Sequence, residues 1–311
     1  MRLRSLLPLG TVILLACCVW QRPVPPSGGV PAEPPAATPP APRALPPAAT
    51  GVVEGKVPSA DGVPIHYRAD GTGGTALVFV HGWSCDGGIW KNQVPFFTSA
   101  YRVVTLDLAG HGASGSGRAN WTVEAYAEDV KAVVQKLGLE KVVLIGHSMS
   151  GPITVEAARR MPGRVVALVP VDTLQDLSEN PDPDAWAGII QRMREDFRSA
   201  TTEFVHALFP ERADPALVNK VASAMAAVPP NIAIETLLSV SRYDVRPALA
   251  QLRVPIRCIN GDKWPTEVER SRTVYPRYDA VILPGLGHFP MLEAPKEFNE
   301  RLREVVREVA G

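Results

Sequence analysis

The sequence has few cysteines and no excess charge of either sign, and each shortage excludes a class of protein. Of four cysteines among 311 residues, only Cys85 and Cys258 fall in the part predicted to fold, so a disulfide framework is not expected. Basic and acidic residues both number 32, so no net field attracts nucleic acid, and we expect a neutral substrate. The sequence contains no metal-ligand cluster or phosphate-binding loop, so no metal or organic cofactor is predicted.

The first residues predict export. Arg2 and Arg4 precede an apolar run from Leu6 to Ala16 that is too short to cross a bilayer as a helix, which is typical of a secretory signal peptide. The run ends at Leu14–Cys17 (sequence LLAC), which resembles the lipobox of bacterial lipoproteins. We favour a lipid anchor at Cys17 over simple secretion or a retained anchor, with the protein facing the periplasm or the cell exterior.

Three parts of the chain are predicted. Residues 1–16 are expected to form the signal peptide, residues 17–50 a proline-rich linker, and residues 51–311 the folded domain. The stretch from Gln21 to Thr50 holds 11 of the 31 prolines in the chain. Proline favours an extended polyproline II backbone, so this segment reaches up to roughly 90 Å at about 3.1 Å per residue.

The domain alternates between strand and helix patterns. Val52–Val57 and Val63–Arg68 flank a polar turn, which predicts an opening hairpin. Six further apolar runs are typical of buried strands: Ala76–Val80, Val103–Leu106, Val142–Ile145, Val165–Val171, Ile256–Ile259 and Val281–Leu283. Helical patterns lie between them, with Thr122 as an N-cap and Pro295 opening the last helix. The alternation predicts an α/β fold with a mostly parallel central sheet flanked by helices.

One stretch, from about residue 174 to 244, contains no strand pattern. Its helical segments are Asp184–Phe197, Thr202–Leu208, Pro215–Ala227 and Asn231–Val240. Insertions between strands of such sheets lie over the carboxyl ends of the strands, where ligands bind. We interpret the stretch as an inserted helical cap.

A strand-turn-helix pattern surrounds Ser148. The strand Val142–Ile145 runs into Gly146–Ser150 (sequence GHSMS), and a helix follows from Ile153 to Met161. Such a turn strains the serine backbone and lifts its hydroxyl clear of the sheet, whereas a helix N-cap in an ordinary turn would lack the preceding strand. Here the chain resembles the serine hydrolase branch of the α/β-hydrolase family with a helical cap, although Ser150 stands where glycine is usual. The resemblance implies that Ser148 is a nucleophile.

A serine hydroxyl needs a general base within hydrogen-bond reach. His288 lies in Pro284–Pro290 (sequence PGLGHFP), which resembles the histidine loop of the family. Three other histidines are less suitable. His66 lies in the opening hairpin and His206 in the cap, while His147 lies beside the nucleophile, where its side chain should point away. The resemblance therefore assigns the base to His288.

The imidazole in turn needs a carboxylate, and the family order is serine, acid, histidine. Asp262 follows the penultimate strand and resembles the usual acid loop, although the loop is shortened and Trp264 stands where the acid often falls. Asp172 closes the preceding strand and is the alternative. We favour Asp262, and we assign Asp107 to a turn whose role in the family is mostly structural.

The segment His81–Trp83 (sequence HGW) follows a strand and resembles the oxyanion-hole loop of the family. The resemblance implies that the amides of Trp83 and Met149 bind the tetrahedral oxyanion, while His81 braces the loop.

These residues predict a serine hydrolase that cleaves a small or medium neutral ester through an acyl-enzyme. Perhydrolysis, carbon-carbon bond hydrolysis and acyl transfer would use the same residues. A ligand-binding receptor that keeps the fold is the alternative from a different class. No protein partner is inferred.

Overall fold

The central apolar runs of the sequence form strands that are buried on both faces. The computed structural model describes residues 51–310. Its strands are β1 Val53–Pro58, β2 Pro64–Asp70, β3 Ala76–Val80, β4 Arg102–Leu106, β5 Val142–His147, β6 Val165–Val171, β7 Ile256–Gly261 and β8 Tyr278–Leu283. Every residue of β3, β4 and β5 is buried, as expected for strands covered by helices on each side.

The strands form a single sheet in the order β1-β2-β4-β3-β5-β6-β7-β8. The predicted hairpin β1–β2 is antiparallel, and β2 also pairs antiparallel with β4. All the remaining pairs are parallel. The predicted α/β fold with a mostly parallel central sheet flanked by helices is therefore confirmed.

The helices are α1 Val94–Phe97, α2 Val123–Lys136, α3 Ser150–Arg160, α4 Pro183–Glu195, α5 Phe197–Leu208, α6 Pro215–Met225, α7 Pro230–Arg242, α8 Arg246–Leu249, α9 Val268–Val274, α10 Pro290–Glu293 and α11 Pro295–Ala310. The predicted N-cap is confirmed, because the Ala125 amide donates to Thr122 Oγ1 at 3.2 Å. Helix α11 begins at Pro295 and turns Phe298 and Leu302 inward. Local capping and periodicity thus locate these two helices.

Helices α4 to α7 lie between β6 and β7, in the stretch where the sequence predicts an inserted cap. The structure starts α5 at Phe197, five residues before the predicted start at Thr202. The cause is a cap at Asp196, whose Oδ1 accepts a hydrogen bond from the Ser199 amide at 3.0 Å. The aspartate satisfies an otherwise unpaired amide and so fixes the earlier start.

The register of the central strands brings two candidate residues side by side. In the parallel pair β5–β6, His147 lies opposite Val171, so each strand ends at the same level. The Ser148 amide then donates to the Val171 carbonyl at 2.9 Å, and the Asp172 amide donates to the Ile259 carbonyl at 3.0 Å. Ser148 and Asp172 therefore leave neighbouring strands at one edge of the sheet.

Within residues 51–310 no single helix has the length and hydropathy to cross a membrane, and only α6 and α7, bent by 99°, meet those criteria as a pair. Both helices turn apolar side chains inward, including Val221 and Ile232. The predicted signal peptide (1–16), the lipidation site Cys17 and the linker (17–50) lie outside the described residues.

Candidate active site

Ser148 occupies a strained turn between β5 and α3. Its φ is 54°, in the left-handed region that non-glycine residues seldom adopt. The turn is also tight, because a Cβ at Gly146 would lie 2.5 Å from the Ser150 carbonyl oxygen. Glycine at 146 lets the chain double back, and the turn holds Ser148, which is partly exposed, at the end of the strand.

Ser150 has a defined role at the position where glycine is usual in the family. Its side chain is fully buried, and its Oγ donates to the His81 carbonyl at 2.5 Å. The bond joins the start of α3 to the His81–Trp83 loop. The serine thus fixes the distance between the nucleophile turn and the predicted oxyanion loop.

His288 connects Ser148 to Asp172. The Ser148 hydroxyl donates to His288 Nε2 at 2.8 Å, and His288 Nδ1 donates to Asp172 Oδ2 at 2.5 Å. The Asp172 side chain is only 2% exposed, and its second oxygen accepts a bond from the Gly261 amide at 2.9 Å. The carboxylate therefore fixes the tautomer in which Nε2 accepts the serine proton.

The predicted placement of Asp262 beside His288 is wrong. Asp262 is exposed, and its backbone amide donates to the Leu286 carbonyl at 3.2 Å as the chain leaves β7. Asp172, the alternative in the sequence, holds the imidazole instead. The physical reason is the register of β5 and β6, which sets Asp172 next to Ser148, whereas Asp262 follows a strand that is one position further along the sheet.

The His81–Trp83 loop is braced by its histidine, as the sequence predicts. His81 Nδ1 donates to the Gly82 carbonyl at 2.8 Å, and His81 Nε2 accepts a bond from the Leu108 amide at 3.0 Å. Burial lowers the pKa of His81, which favours the neutral ring that this pattern requires. His81 is thus committed on both nitrogens and is not available as a base.

The backbone amides of Trp83 and Met149 are the predicted oxyanion donors. Trp83 is the last residue of the braced loop, and Met149 is the residue after Ser148. Over residues 51–310, neither amide donates a hydrogen bond to another protein group. Both amides are therefore available as hydrogen-bond donors, as the predicted oxyanion role requires.

Comparison with known proteins agrees with this geometry. Residues 77–301 match the model of the alpha/beta hydrolase family. The chain belongs to this family. A non-heme chloroperoxidase of Streptomyces lividans is 36% identical over 151 residues, which are 47% of this chain and 54% of that protein.

Two further relatives match over most of their length. A strigolactone esterase of Arabidopsis thaliana is 27% identical over 257 residues, 78% of this chain and 96% of the relative. The solved structure of a thermophilic esterase from Thermogutta terrifontis is 26% identical with a TM-score of 0.72, covering 83% of this chain and 99% of that one.

His147 contributes to this hydrolase site in a way that the sequence does not indicate. We expected its side chain to point away from the nucleophile. Instead the ring is buried against that of His288, with centroids 4.8 Å apart, and its Nε2 donates to the His288 carbonyl at 2.7 Å. Burial, together with the nearby His288, holds the pKa of His147 well below its usual range, so the ring is a neutral brace.

The cap contacts the oxyanion loop through Trp83. Its indole Nε1 donates to the Ala233 carbonyl of α7 at 2.7 Å. Its ring also meets Phe204 and Phe197 of α5 edge to face, at centroid distances of 5.9 and 6.4 Å. One side chain therefore links the loop beside Ser148 to two cap helices.

The cap also holds the histidine loop. The His288 amide donates to the Leu208 carbonyl at the end of α5, at 3.1 Å. Arg212 Nη2 donates to the Gly285 carbonyl of the same loop at 2.7 Å. A separate bond joins the cap to the loop after β7, where Lys263 Nζ donates to the Phe209 carbonyl at 3.1 Å. The base of the candidate site is consequently positioned by the cap as well as by the sheet.

No group of three or more histidine, cysteine, aspartate or glutamate side chains in the described part of the chain could hold a metal ion. A surface groove of about 450 Å³ lies between α4 and α7, and Pro183, Ile190 and Leu238 are among its lining residues. None of the residues that line this groove belongs to the Ser148–His288–Asp172 set.

We expect Trp83→Phe to loosen the cap. The substitution keeps an aromatic ring but removes the donor to Ala233, so the free energy of unfolding should fall by about 1 kcal/mol. Hydrogen exchange of the α7 amides should become faster. Trp186→Phe is the matched control, because Trp186 meets Phe204 edge to face while its indole nitrogen makes no hydrogen bond within residues 51–310. Equal exchange rates in the two variants would contradict the role of the indole bond.

Proposed function

We propose that the protein is a serine hydrolase that cleaves a small or medium neutral ester. Ser148 is the nucleophile, His288 the general base and Asp172 the residue that orients the imidazole. The observation that carries the proposal is the unbroken hydrogen-bond chain from Ser148 Oγ through His288 to Asp172, with links of 2.8 and 2.5 Å.

In the first half of the reaction, Ser148 Oγ attacks the ester carbonyl carbon while His288 Nε2 takes its proton. The Trp83 and Met149 amides stabilise the negative oxygen of the tetrahedral intermediate, and Asp172 stabilises the imidazolium. The intermediate collapses as His288 gives its proton to the departing alcohol. Water, activated by the same imidazole, then attacks the acyl-enzyme and releases the acid.

Two further observations support an ester substrate. The relatives from Arabidopsis thaliana and Thermogutta terrifontis are named esterases. The equal numbers of acidic and basic residues in the chain suit a neutral substrate. A second candidate is perhydrolysis, in which hydrogen peroxide replaces water at the acyl-enzyme, and the name of the chloroperoxidase relative favours it.

We expect p-nitrophenyl esters of short and medium acyl chains to be hydrolysed by the wild type and not by Ser148→Ala, because the variant has no nucleophile. A fluorophosphonate probe should label the wild type alone. Hydrogen peroxide added to the assay would reveal peracid if perhydrolysis competes. A wild-type protein that neither turns over any ester nor reacts with the probe would exclude the hydrolase and leave a ligand-binding receptor.

The two aspartates should behave very differently in the same assay. Asp172→Asn should lower kcat by about 10³–10⁴-fold, because an amide selects the wrong imidazole tautomer and cannot stabilise the imidazolium. Asp262→Asn should leave kcat within twofold, since Asp262 is exposed and His288 Nδ1 bonds to Asp172 instead. Loss of activity in Asp262→Asn with a functional Asp172→Asn would reverse the assignment.

We also propose that the chain is exported and anchored through Cys17. The support is sequence alone: the basic start, the short apolar run from Leu6 to Ala16, the cysteine that ends it, and the proline-rich segment that follows. The anchor would tether the hydrolase to a membrane while the linker lets it stand clear of the surface.

The anchor is tested by Cys17→Ser. In a bacterial host, the wild type should label with a palmitate analogue and sediment with membranes, whereas the variant should be unlabelled and soluble, because only the thiol accepts the lipid. Cys18→Ser is the matched control. A Cys17→Ser protein that stays in the membrane fraction would refute the anchor.

A further inference from the structure

The backbone amides around His288 are held in an unusual way. The amides of Gly287 and Phe289 donate to the two oxygens of a single carboxylate, Glu293 Oε2 and Oε1, each at 2.9 Å. The His288 amide between them donates to the Leu208 carbonyl. The Glu293 side chain thus binds the backbone on both sides of His288.

We propose that Glu293 is a positioning residue for His288, an inference that rests on the proposed hydrolase function. Its carboxylate fixes the loop so that Nε2 reaches Ser148 while Nδ1 reaches Asp172. A displacement of about 1 Å in a reacting group can lower the rate roughly 10²-fold. The contact of Glu293 with the histidine loop should therefore affect kcat.

The geometry of α10 restricts the movement of the Glu293 carboxylate. Glu293 is the last residue of this short helix, and its own amide donates to the Phe289 carbonyl at 2.9 Å. Its side chain returns a bond to the Phe289 amide, so Glu293 is tied to Phe289 in both directions. The carboxylate therefore cannot shift without moving the residue next to His288.

The surroundings of Glu293 favour a role in the site over one in general stability. Burial raises the pKa of Glu293, and the nearby Asp172 adds to the shift, so keeping the carboxylate charged there is unfavourable. Glu293 makes no ion pair with any residue between 51 and 310 that would offset this cost. Its partners are the two loop amides, which are themselves buried and would otherwise lack acceptors.

A second benefit is electrostatic. Glu293 lies close enough to His288 for their charges to interact, in addition to the contact that His288 makes with Asp172. The imidazolium formed when Ser148 gives up its proton is then stabilised by two carboxylates, one in direct contact and one acting through the loop. This charge develops as Ser148 attacks the substrate, so we expect the effect to fall on kcat.

The test compares Glu293→Gln and Glu293→Leu with Glu297→Gln, an exposed glutamate four residues further on. Glutamine keeps one acceptor oxygen and should lower kcat for a p-nitrophenyl ester about 10-fold, with KM within twofold. Leucine keeps neither acceptor and should lower kcat about 100-fold. The control should match the wild type. If Glu293→Leu does not fold, the nearly isosteric glutamine variant decides the question.

A readout independent of turnover is the downfield proton resonance of His288 Nδ1–H in its bond to Asp172. We expect the resonance to shift and broaden in Glu293→Gln and to stay unchanged in Glu297→Gln. A Glu293→Gln protein with a lower Tm but wild-type kcat and resonance would overturn the positioning role. If the wild type hydrolyses no ester, the proposed function fails, and the resonance alone decides whether Glu293 positions His288.

Discussion

The parallel pairing of β5 with β6 is the constraint on which the site depends. It ends both strands at the same level, so Ser148 and Asp172 emerge next to each other. Both have left-handed backbones, with φ of 54° and 47°, a conformation that costs an L-residue about 1–2 kcal/mol. Each amide is nevertheless bonded to the next strand, Ser148 to Val171 and Asp172 to Ile259. The sheet thus supports the strain that aims the two side chains.

His288 comes from a loop and has no such support from strand pairing, so its position depends on contacts from separate elements. The Leu208 carbonyl at the end of α5 accepts a hydrogen bond from the His288 amide, and His147 Nε2 at the end of β5 donates to the His288 carbonyl. Glu293 holds the amides on either side. His288 is therefore fixed through its backbone, which leaves its ring nitrogens available to Ser148 and Asp172.

The sequence was informative wherever a local pattern determines structure. Buried strands follow from unbroken apolar runs, and Ser148 and His288 follow from motifs that lie within a few residues. The sequence predicts the wrong carboxylate beside His288, because that position depends on strand register, which joins residues far apart in sequence. Asp172 and Asp262 each follow a strand, and only the pairing order separates them. The brace at His147 was unpredictable for the same reason, since its partner is 141 residues away.

The cap contacts two of the loops that form the candidate site. Trp83 joins the loop beside Ser148 to α7 and α5, while Leu208 at the end of α5 holds His288. Helix α5 therefore touches the predicted oxyanion loop through Phe197 and Phe204 and the His288 amide through Leu208. A displacement of α5 would act on both the loop that carries Trp83 and the loop that carries His288.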